Sequence, residues 1–394
     1  MQTIRTIDIK GKTVLVRVDL NVPLNDDLIV TDNTRIKAAL PTMKHVLSEG
    51  GALILMSHLG RPKEREPKFS LRNIIPEIEA LLGKKISFEE MTDEGQTQKA
   101  CKDLAAGDVL LLENLRYDLR EKKGDQDFAK FLSSLADVYV NDAFGTAHRA
   151  HASTAIIAEY AKQCAFGLLM EKEIENLNKV MEHPESPVTA IIGGAKVSSK
   201  IDVIYNLLDK IDHLIIGGGM AYTFIKAQGG TIGNSLFEID KVDEALEILA
   251  LAKDKSVTVH LPVDTLITDA FSADANKKIV PTAEIPVNWM GLDIGPKTME
   301  NLDGVIRESK TILWNGPMGV FEMEPYSKGT ISVAKSIVLA TENGAYSLVG
   351  GGDSVAALKQ FGLDDKVSYV STGGGAMLEY MEGKVLPGIA ALQD

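Results

Sequence analysis

The sequence contains few cysteines and no long apolar run. Cys101 and Cys164 are its only cysteines, too few for a disulfide scaffold, and this usage suits a reducing compartment. No segment reaches the ~18 unbroken apolar residues that a membrane-spanning helix needs. The first ten residues are polar and charged, without the apolar region of a secretory signal. We therefore expect a cytoplasmic protein that does not contact a membrane.

A surplus of positive charge is also missing. Lys and Arg number 42 against 55 Asp and Glu, which gives a formal net charge of −13. Without a broad basic field, nucleic acid is not an expected partner, and anions must be bound by local Arg and His clusters. The length of 394 residues exceeds what one hydrophobic core usually supports, so two domains are expected.

Several catalytic signatures are missing as well. The seven histidines show no H-E-x-x-H spacing, and there is no G-x-S-x-G motif. These absences argue against a zinc hydrolase and against a serine nucleophile. Cys101 lies in a polar helix-like segment far in sequence from any catalytic partner, which favours a structural or incidental thiol over a nucleophile.

Strand-like and helix-like segments alternate through most of the chain, a pattern typical of α/β proteins with mainly parallel sheets. The predicted strands are Val14–Leu20, Ala52–Ser57, Asp108–Glu113, Val138–Asn141, Val188–Ile192, Leu214–Ile216, Val257–Leu261, Thr311–Trp314, Ser347–Val349 and Val367–Val370. The predicted helices of the first half are Thr34–Ser48, Leu71–Leu82 and Gln126–Leu135. Asp32 or Asn33 is expected to cap the first helix, and Pro41 to kink it.

An amphipathic segment from Leu168 to Met181 separates the two halves. Apolar residues recur there at intervals of three and four, and Pro184 and Pro187 follow it. This segment is predicted to be a helix that connects two domains; an ordinary surface helix is the alternative.

In the second half, four apolar strands run directly into glycine clusters. The clusters are Gly193-Gly194, Gly217-Gly218-Gly219, Gly350-Gly351-Gly352 and Gly373-Gly374-Gly375. Glycine lets the backbone turn tightly and brings N–H groups close to a ligand, and a following helix directs its free N–H donors to the same place. The series predicts a polyphosphate site at the carboxyl edge of a parallel sheet.

The strand ends of the first half carry polar residues instead. Arg17, Asp19 and Asn21 alternate along the first strand, so we expect them to project to one side. Asp19 and Asn21 are candidates for binding substrate hydroxyls or a carboxylate; an Asx turn before Pro23 is the alternative.

Arginines arrive at the same predicted edge from several segments. Arg61, Arg116 and Arg149 follow strands, Arg35 begins the first helix, and His58 adjoins Arg61. Like charges repel unless they share an anion, and guanidinium groups bind phosphate and carboxylate through paired hydrogen bonds. The set predicts a substrate that carries a phosphate and a carboxylate, although single arginines of this kind more often form surface ion pairs.

The glycine-rich half also carries charged candidates. Lys196 and Lys200 lie one helical turn apart and can both face phosphate oxygens, although the segment is not a Walker A loop. Glu322 is a candidate for a ribose, and Asn315 for phosphate or metal. Asp353 is a candidate ligand of Mg²⁺, with a helix N-cap as the alternative or additional role.

Taken together, these segments resemble the phosphoglycerate kinase family. The shared segments run from Val14 to Gly388 in order: VRVDLNVP, SHLGRP, LLENLRY, VNDAFGTAHRAHAS, IIGGAKVSSK, IIGGGMAYTF, LPVD, DIGPKT, WNGPMGVFE, GGGDS, STGGGA and EGKVLPG. One departure is visible, because Met377 stands where the family usually has serine after its last glycine turn.

The resemblance implies two Rossmann-like domains joined by a helix. It places a phosphoglycerate-binding domain at 1–167, the helix at 168–183, a nucleotide-binding domain at 184–375, and a segment returning to the first domain at 376–394. It also implies a monomer that transfers a phosphoryl group reversibly and in line between 1,3-bisphosphoglycerate and ADP in glycolysis, giving 3-phosphoglycerate and ATP, with Mg²⁺ bound as its nucleotide complex.

The resemblance also implies the roles of individual residues. It assigns 3-phosphoglycerate or 1,3-bisphosphoglycerate to Asp19, Asn21, Arg35, His58, Arg61, Arg116 and Arg149. It assigns the nucleotide to Lys200, Gly217, Gly218, Gly291, Asn315, Glu322, Gly350, Gly351, Gly352, Asp353 and Ser354, with Asp353 at the metal. It assigns stabilisation of the transferring phosphoryl group to Lys196, Arg35, Gly373 and Gly374.

We hypothesise that the two ligands bind opposite domains and meet when a hinge closes, which also excludes water. Two other functions are open to the same sequence. A nicotinamide-dependent dehydrogenase also uses strand–glycine–helix turns, but Gly217-Gly218-Gly219-Met220-Ala221-Tyr222 lacks the final glycine of G-x-G-x-x-G. A non-catalytic nucleotide-binding scaffold is the second alternative, and the retained Arg and Lys residues argue against it.

Overall fold

The computed structural model describes residues 2–393 and divides the chain into two compact units. The first unit extends to Glu175 and also contains the chain from Val385 onward, and the second runs from Asn176 to Lys384. The division falls within a continuous helix, Leu168–Met181, whose bounds are those predicted from its spacing. The functions and bounds assigned to the domains from the sequence stay predictions. Residues 376–384 pack with the second unit.

The first unit is built on a parallel sheet. Its strands are β1 (Thr13–Val18), β2 (Ala52–Met56), β3 (Ser87–Glu89), β4 (Val109–Leu112), β5 (Val138–Asp142) and β6 (Cys164–Phe166). They lie in the order β3-β4-β2-β1-β5-β6, and every neighbouring pair is parallel. Strands β2, β4 and β5 are buried along their whole length, because helices cover both faces of such a sheet. This burial explains why β2 and β4 are continuous apolar runs, whereas β5 ends in the buried polar residues Asn141 and Asp142.

The helices of this unit surround the sheet. They are α1 (Thr34–Ser48), α2 (Ile75–Leu82), α3 (Glu94–Lys102), α4 (Leu119–Lys123) and α5 (Gln126–Ser133), followed by α6 (Leu168–Met181). Helix α1 has its predicted bounds and contains Pro41. Asp32 rather than Asn33 receives the first free N–H, since its Oδ1 accepts from the Thr34 amide at 2.8 Å. Asn33 instead donates from Nδ2 to Glu77 at 2.7 Å.

The second unit contains a parallel sheet of its own. The strands that follow are β7 (Val188–Ile192), β8 (His213–Ile216), β9 (Thr231–Ile232), β10 (Thr258–His260), β11 (Asp264–Thr268), β12 (Lys277–Pro281), β13 (Glu284–Ile285), β14 (Met290–Ile294), β15 (Thr311–Asn315), β16 (Tyr346–Gly350) and β17 (Tyr369–Val370). The main sheet has the order β10-β8-β7-β15-β16-β17 with parallel neighbours throughout. All six of these strands were predicted, to within a few residues at their ends.

The sequence did not predict the antiparallel part of this unit. Strand β11 pairs in antiparallel fashion with β12 on one side and β14 on the other. The short strands β13 and β9, which were not predicted either, form a separate parallel pair. Strand β12 is mostly exposed, so it lacks the apolar run of a strand that is buried on both faces. Its sequence, Lys-Lys-Ile-Val-Pro, has only two apolar side chains besides its proline.

The remaining helices complete the second unit and the C-terminal segment. They are α7 (Ile201–Leu207), α8 (Ala221–Ala227), α9 (Val242–Asp254), α10 (Pro296–Glu308), α11 (Lys328–Glu342), α12 (Gly352–Gln360), α13 (Gly375–Met381) and α14 (Pro387–Ala390). Helix α14 belongs to the first unit, where Gly388 donates its amide to Ala147 O at 2.8 Å and accepts from Asn141 Nδ2 at 3.3 Å. Within residues 2–393, a helix sufficiently long and apolar to span a bilayer is absent.

Candidate active site

In the first unit, the loops that follow β2 and β4 are fastened together by one buried side chain. Asn114 accepts from the amide of Leu59 at 3.2 Å and donates to the carbonyls of Leu59 and Phe69, each at 2.8 Å. It also accepts from the amide of Arg116 at 3.1 Å. Since parallel strands end at one edge of the sheet, these bonds hold His58, Arg116 and their neighbours in fixed positions at that edge.

The polar residues at the end of β1 have different partners. Arg17 lies inside the strand and is buried, whereas Asp19 and Asn21 lie beyond its last residue, Val18. Arg35 donates from Nη1 to Asp19 Oδ1 at 3.2 Å and to Asn21 O at 3.0 Å. The expectation that all three side chains project to one side stays a prediction, and alternation of faces applies only within the regular strand.

Arg17 forms a buried polar network beneath this edge. Its Nε donates to Ser153 Oγ at 3.0 Å, and its Nη2 lies 3.2 Å from His58 Nδ1. Ser153 in turn donates from Oγ to the buried carboxylate of Glu121 at 2.6 Å. His151 Nδ1 lies 3.8 Å from the same carboxylate. The network holds His58 in place through Arg17. It also connects the buried guanidinium of Arg17 to the carboxylate of Glu121 through the hydroxyl of Ser153.

The charges of the predicted arginines act on the same two side chains, His58 and Arg116. Burial, followed by the charges of nearby cations, lowers the pKa of His58 well below its usual value. Burial and nearby cations also lower the pKa of Arg116, to about 10, although Glu121 opposes part of this shift. The arginines that lower these two pKa values are Arg17, Arg35, Arg61 and Arg149, and Arg116 itself acts on His58. We call Arg35, Arg61, Arg116 and Arg149 the arginine cluster; each lies within electrostatic range of His58 or Arg116.

The same field acts on a second histidine. Burial first, and then Arg17, Arg116 and Arg149, lower the pKa of His151 to about 4. A local excess of cations with depressed pKa values is the condition under which a bound anion is most favourable, because the anion relieves the repulsion.

Several residues of this region were not among the predicted site residues. Arg17, His151 and Ser153 belong to the segments noted in the sequence, but their supporting role was not predicted. Glu121 was not identified at all. An arginine within the run Val-Leu-Val-Arg-Val was the available signal for Arg17, since a buried guanidinium needs partners. Nothing in the sequence around Glu121 distinguishes it from its charged neighbours.

In the second unit, the four glycine clusters follow β7, β8, β16 and β17 of the same parallel sheet. They therefore stand at its carboxyl edge, together with Asn315 at the end of β15. Lys200 donates from Nζ to Asn315 Oδ1 at 2.6 Å, and Asn315 donates from Nδ2 to Gly350 O at 3.1 Å. Burial lowers the pKa of Lys200, opposed by the charges of Asp353 and Glu382. Lys200, Asn315 and Asp353 are thus neighbours.

The beginning of α12 offers both N–H groups and a carboxylate. Its N-cap is Gly351, which has no side chain to receive the first free N–H groups of the helix. Gly352 and Asp353 are exposed there, whereas Ser354 is buried and accepts from the amide of Gly316 at 2.6 Å through its Oγ. The Ser354 hydroxyl thus has a structural contact. The N-cap role considered for Asp353 is wrong, because Asp353 lies inside the helix.

Some of the glycines have a packing reason that is independent of any ligand. A Cβ on Gly193 would overlap the backbone of Gly316 and Pro317, and one on Gly218 would stand 2.6 Å from Gly194 O. The amide of Gly217 donates to Ile192 O at 3.0 Å and that of Gly218 to Met318 O at 3.2 Å. These amides already have acceptors in the protein, so the expectation of bare N–H groups does not hold for every cluster.

Gly291 lies in β14, outside the main sheet. Its amide donates to Ser235 Oγ at 2.9 Å, and a Cβ would overlap the hydroxyl of Tyr222. Glu322 is exposed in the loop after β15. Lys196 is exposed after the first glycine cluster. Burial raises the pKa of Glu238, but hydrogen bonds from Ser198 and Val197, together with the charge of Lys196, lower it by more. The roles predicted for Gly291, Glu322 and Lys196 stay predictions.

The last glycine cluster is the one followed by Met377. Gly373 donates its amide to Ser371 Oγ at 3.1 Å, and Gly374 has φ of +49°, a conformation that favours glycine. Met377 lies in the first turn of α13 and is fully buried. Its side chain is buried and packs inside the protein. Methionine in place of serine therefore changes the packing and adds no group to the exposed surface of the turn.

Comparison with known proteins identifies the family. A family model described as Phosphoglycerate kinase matches residues 4–384. The chain is 50% identical over 392 residues to "Phosphoglycerate kinase, cytosolic" of Nicotiana tabacum, covering 100% of this chain and 98% of the relative. It is 51% identical over 416 residues to phosphoglycerate kinase of Porphyromonas gingivalis, covering 99% of this chain and 100% of the relative.

Solved structures agree. The structure of phosphoglycerate kinase from Coxiella burnetii matches with a TM-score of 0.91 at 40% identity and covers 99% of this chain and 98% of that one. The enzyme from Pyrococcus horikoshii matches with a TM-score of 0.84 at 30% identity and covers 100% and 98%. These matches confirm the predicted α/β fold class with mainly parallel sheets and the predicted class of enzyme, a kinase of glycolysis. A full-length match in sequence and in structure, over loops that carry the arginine cluster and the glycine turns, shows that this chain belongs to the phosphoglycerate kinase family.

Proposed function

We propose that the chain transfers a phosphoryl group reversibly between 1,3-bisphosphoglycerate and ADP, with Mg²⁺, directly and in line. The observation that carries this proposal is the arginine cluster of the first unit, whose charges add to burial and to Arg17 in lowering the pKa values of His58 and Arg116. Guanidinium pairs bind phosphate and carboxylate through parallel hydrogen bonds, and both groups occur in 3-phosphoglycerate. The activity of a nicotinamide-dependent dehydrogenase would not explain why four arginines are grouped here.

In this proposal the residues of the first unit hold the phosphoglycerate. Arg61, Arg116 and Arg149 neutralise its anionic groups, and His58 lies among them as a neutral hydrogen-bonding group. Asp19 and Asn21 receive the substrate hydroxyl or carboxylate. Because Asp19 already lies 3.0 Å from Arg35 as an ion pair, it also sets the orientation of that guanidinium before substrate arrives.

The residues of the second unit hold the nucleotide. The ammonium group of Lys200, whose neighbour is Asn315 Oδ1, faces a phosphate. The first N–H groups of α12 add hydrogen bonds and the positive end of the helix dipole. Glu322 receives the ribose, and the backbone at Gly217, Gly218 and Gly291 borders the nucleoside.

The donors at this edge fit Mg²⁺ held mainly by the nucleotide. Asp353 offers an exposed carboxylate, and oxygen is the ligand that Mg²⁺ prefers; one protein carboxylate suffices where phosphates and water supply the rest. Among residues 2–393, no group of three His, Cys, Asp or Glu side chains is arranged to hold a metal by itself. When bound, the ion screens the charge of the phosphate oxygens.

For phosphoryl transfer, the protein must align the two substrates and stabilise the charge of the transferring group. Negative charge spreads over the equatorial oxygens of the transferring group, where Arg35, Lys196 and the backbone at Gly373 and Gly374 stabilise it. The acyl phosphate and the carboxylate are good leaving and attacking groups. No strong general base is therefore required, which agrees with a pKa of His151 near 4 and a His58 that stays neutral.

We further propose that the two ligands bind different units and meet through hinge closure, that the protein is a monomer, and that it works in the cytoplasm. Closure excludes the water that would hydrolyse the acyl phosphate. Small-angle scattering on the free enzyme and on the enzyme with both ligands tests this part. Compaction is expected only when both ligands are present, and an unchanged radius of gyration would contradict closure.

The activity itself is tested by a coupled assay. ATP formation from 1,3-bisphosphoglycerate and ADP is expected, and it should stop when Mg²⁺ is chelated. Nucleotide binding without turnover would support the scaffold alternative, and reduction of NAD without ATP formation would support the dehydrogenase.

A further inference from the structure

Two histidines of the second unit face each other away from the glycine turns. His213 begins β8 and His260 ends β10, the edge strand of the sheet. His213 Nδ1 lies 3.1 Å from His260 Nε2, with the ring centroids 5.2 Å apart and the ring planes at 44°. Both side chains are half-buried, so each retains contact with solvent.

The strand register fixes this pair. His213 is opposite Thr258, and His260 is opposite Ile215, two residues further along each strand. Residues two apart share a face of the sheet, so the two imidazoles lie diagonally on one face and within reach of each other. His213 precedes Gly217 by four residues, about 13 Å of strand. His260 is opposite Ile215, two residues before Gly217, so both histidines lie within the strands and neither belongs to the groups assigned to the nucleotide.

The distance between the two nitrogens suits a shared metal ion. Imidazole nitrogens bind Zn²⁺ at about 2.0–2.1 Å, which places two ligands of a tetrahedral ion about 3.3 Å apart. The observed 3.1 Å is close to that separation. Imidazole nitrogen is also a ligand that suits Zn²⁺, Cu²⁺ and Ni²⁺, whereas Mg²⁺ prefers oxygen ligands.

We propose that His213 and His260 form a binding site for one transition-metal dication of the Zn²⁺, Ni²⁺ or Cu²⁺ class. Water completes the coordination, because no cluster of three ligating side chains occurs anywhere in the described chain. A two-imidazole site of this kind binds its ion reversibly and leaves coordination positions open.

Metal binding requires a change of tautomer and no net loss of protons. In the hydrogen-bonded pair one facing nitrogen carries the proton and the other accepts it. When both lone pairs turn to the ion, the proton of the donor ring moves through solvent to its other ring nitrogen.

The bound ion would tie the edge of the sheet together. Strand β10 pairs with β8 through only three residues, Thr258 to His260. An ion held by one side chain from each strand adds a cross-link at this short edge. Ligands that bind only the folded state raise its stability by mass action, so the thermal midpoint should rise with metal concentration.

The experiment uses the full chain without a polyhistidine tag, treated with chelator and free of nucleotide. Ni²⁺ and Cu²⁺ are titrated by calorimetry, and bound Cu²⁺ is examined by electron paramagnetic resonance. We expect one ion per chain, hyperfine coupling from two imidazole nitrogens, and no displacement by excess Mg²⁺. His213→Asn and His260→Asn should each weaken binding by at least an order of magnitude and abolish the metal-dependent rise in thermal midpoint.

His45→Asn is the matched control, because His45 is a half-buried histidine of the first unit and it should leave binding unchanged. Thermal unfolding without metal checks that the variants fold, and His260→Gln replaces His260→Asn if that variant does not. Binding that survives both substitutions, or no binding by the wild-type protein at tens of micromolar free metal, would overturn the proposal and leave the pair as a hydrogen bond between neighbouring strands.

Discussion

The thioether of Met377 occupies the space that a side chain on Gly350 would need. A Cβ built on Gly350 would overlap both Sδ and Cε of Met377, and its next neighbour would be Ser371 Cβ at 3.5 Å. Met377 belongs to the helix after the last glycine cluster, whereas Gly350 ends β16 and opens the preceding one. The two turns assigned to phosphate binding are therefore packed against each other through this methionine. Met318 occupies the corresponding space at Gly217, again with its sulfur.

This contact predicts a compensating pair of substitutions. Gly350→Ala should lower the free energy of unfolding by about 1–3 kcal/mol through overpacking and should raise the KM for ADP, because the turn must shift. Adding Met377→Ala should recover much of both losses, although Met377→Ala alone costs about 2 kcal/mol through its cavity. Denaturant unfolding and steady-state kinetics on the four proteins measure the coupling. Gly304→Ala is the control, since a Cβ there has no neighbour within 4 Å. Strict additivity would contradict the contact.

Arg35 and Lys196 should matter for turnover more than for binding. Arg35→Ala and Lys196→Ala are expected to lower kcat by about 100-fold or more, because each removes a cation that stabilises charge developing in transfer. The Kd for ADP should change little. Arg72→Ala is the control, because Arg72 lies in the same unit as Arg35 and forms an exposed ion pair with Glu90 at 2.8 Å. Equal losses in kcat and in nucleotide affinity would indicate ground-state binding only.

Lys200 should act on nucleotide affinity. Lys200→Met keeps the apolar stem and removes the ammonium group that contacts Asn315. We expect the KM for ADP to rise by about tenfold or more, the usual cost of losing a hydrogen bond to a charged group, while the KM for 3-phosphoglycerate stays close to its wild-type value. Lys253→Met, at an exposed position of α9, should change neither constant. An unchanged KM for ADP in Lys200→Met would remove this lysine from the nucleotide site.

Asp142 should give the first unit a dependence of stability on pH. Its Oδ1 accepts from the amides of Leu169 at 2.8 Å and Met170 at 3.2 Å, at the beginning of α6. Burial raises its pKa to about 6, and hydrogen bonds from Thr42, Met170 and Leu169 offset only part of that effect. Because the folded state holds this proton more tightly than the unfolded state, the free energy of unfolding falls as pH rises from about 4 to about 6.

Asp142→Asn should remove this dependence, since an amide does not titrate. The difference between wild type and variant is expected to change by about 2 kcal/mol between pH 4 and pH 7. Urea unfolding at several pH values measures it, with Asp103→Asn as the control at an exposed position. Parallel curves for wild type and Asp142→Asn would show that Asp142 keeps an ordinary pKa.

Most strands of the parallel sheets could be predicted because burial on both faces leaves long apolar runs in the sequence. The three-residue edge strands β3 and β6 were not predicted. Val188–Ile192 is a continuous apolar run, and the strand has those bounds. Strand β12 could not be predicted in the same way, since it is exposed and depends on its partner β11 for its conformation. Arg17 illustrates the same limit at the site. Its spacing predicted that it projects to the same side as Asp19, but its contacts with Ser153 and His58 could not be predicted from the sequence.

The amino-acid sequence by itself determined the family, the α/β class, and the supply of arginines and glycines at strand ends, because these follow from residue type and local order. The tertiary structure decided which of those groups remain available to a ligand. The amides of Gly217 and Gly218 are taken by neighbouring turns, whereas the helix that begins at Gly352 keeps its first N–H groups uncapped. It also decided that Met377 packs beneath Gly350. Such outcomes depend on contacts between segments distant in the chain, which local sequence order does not encode.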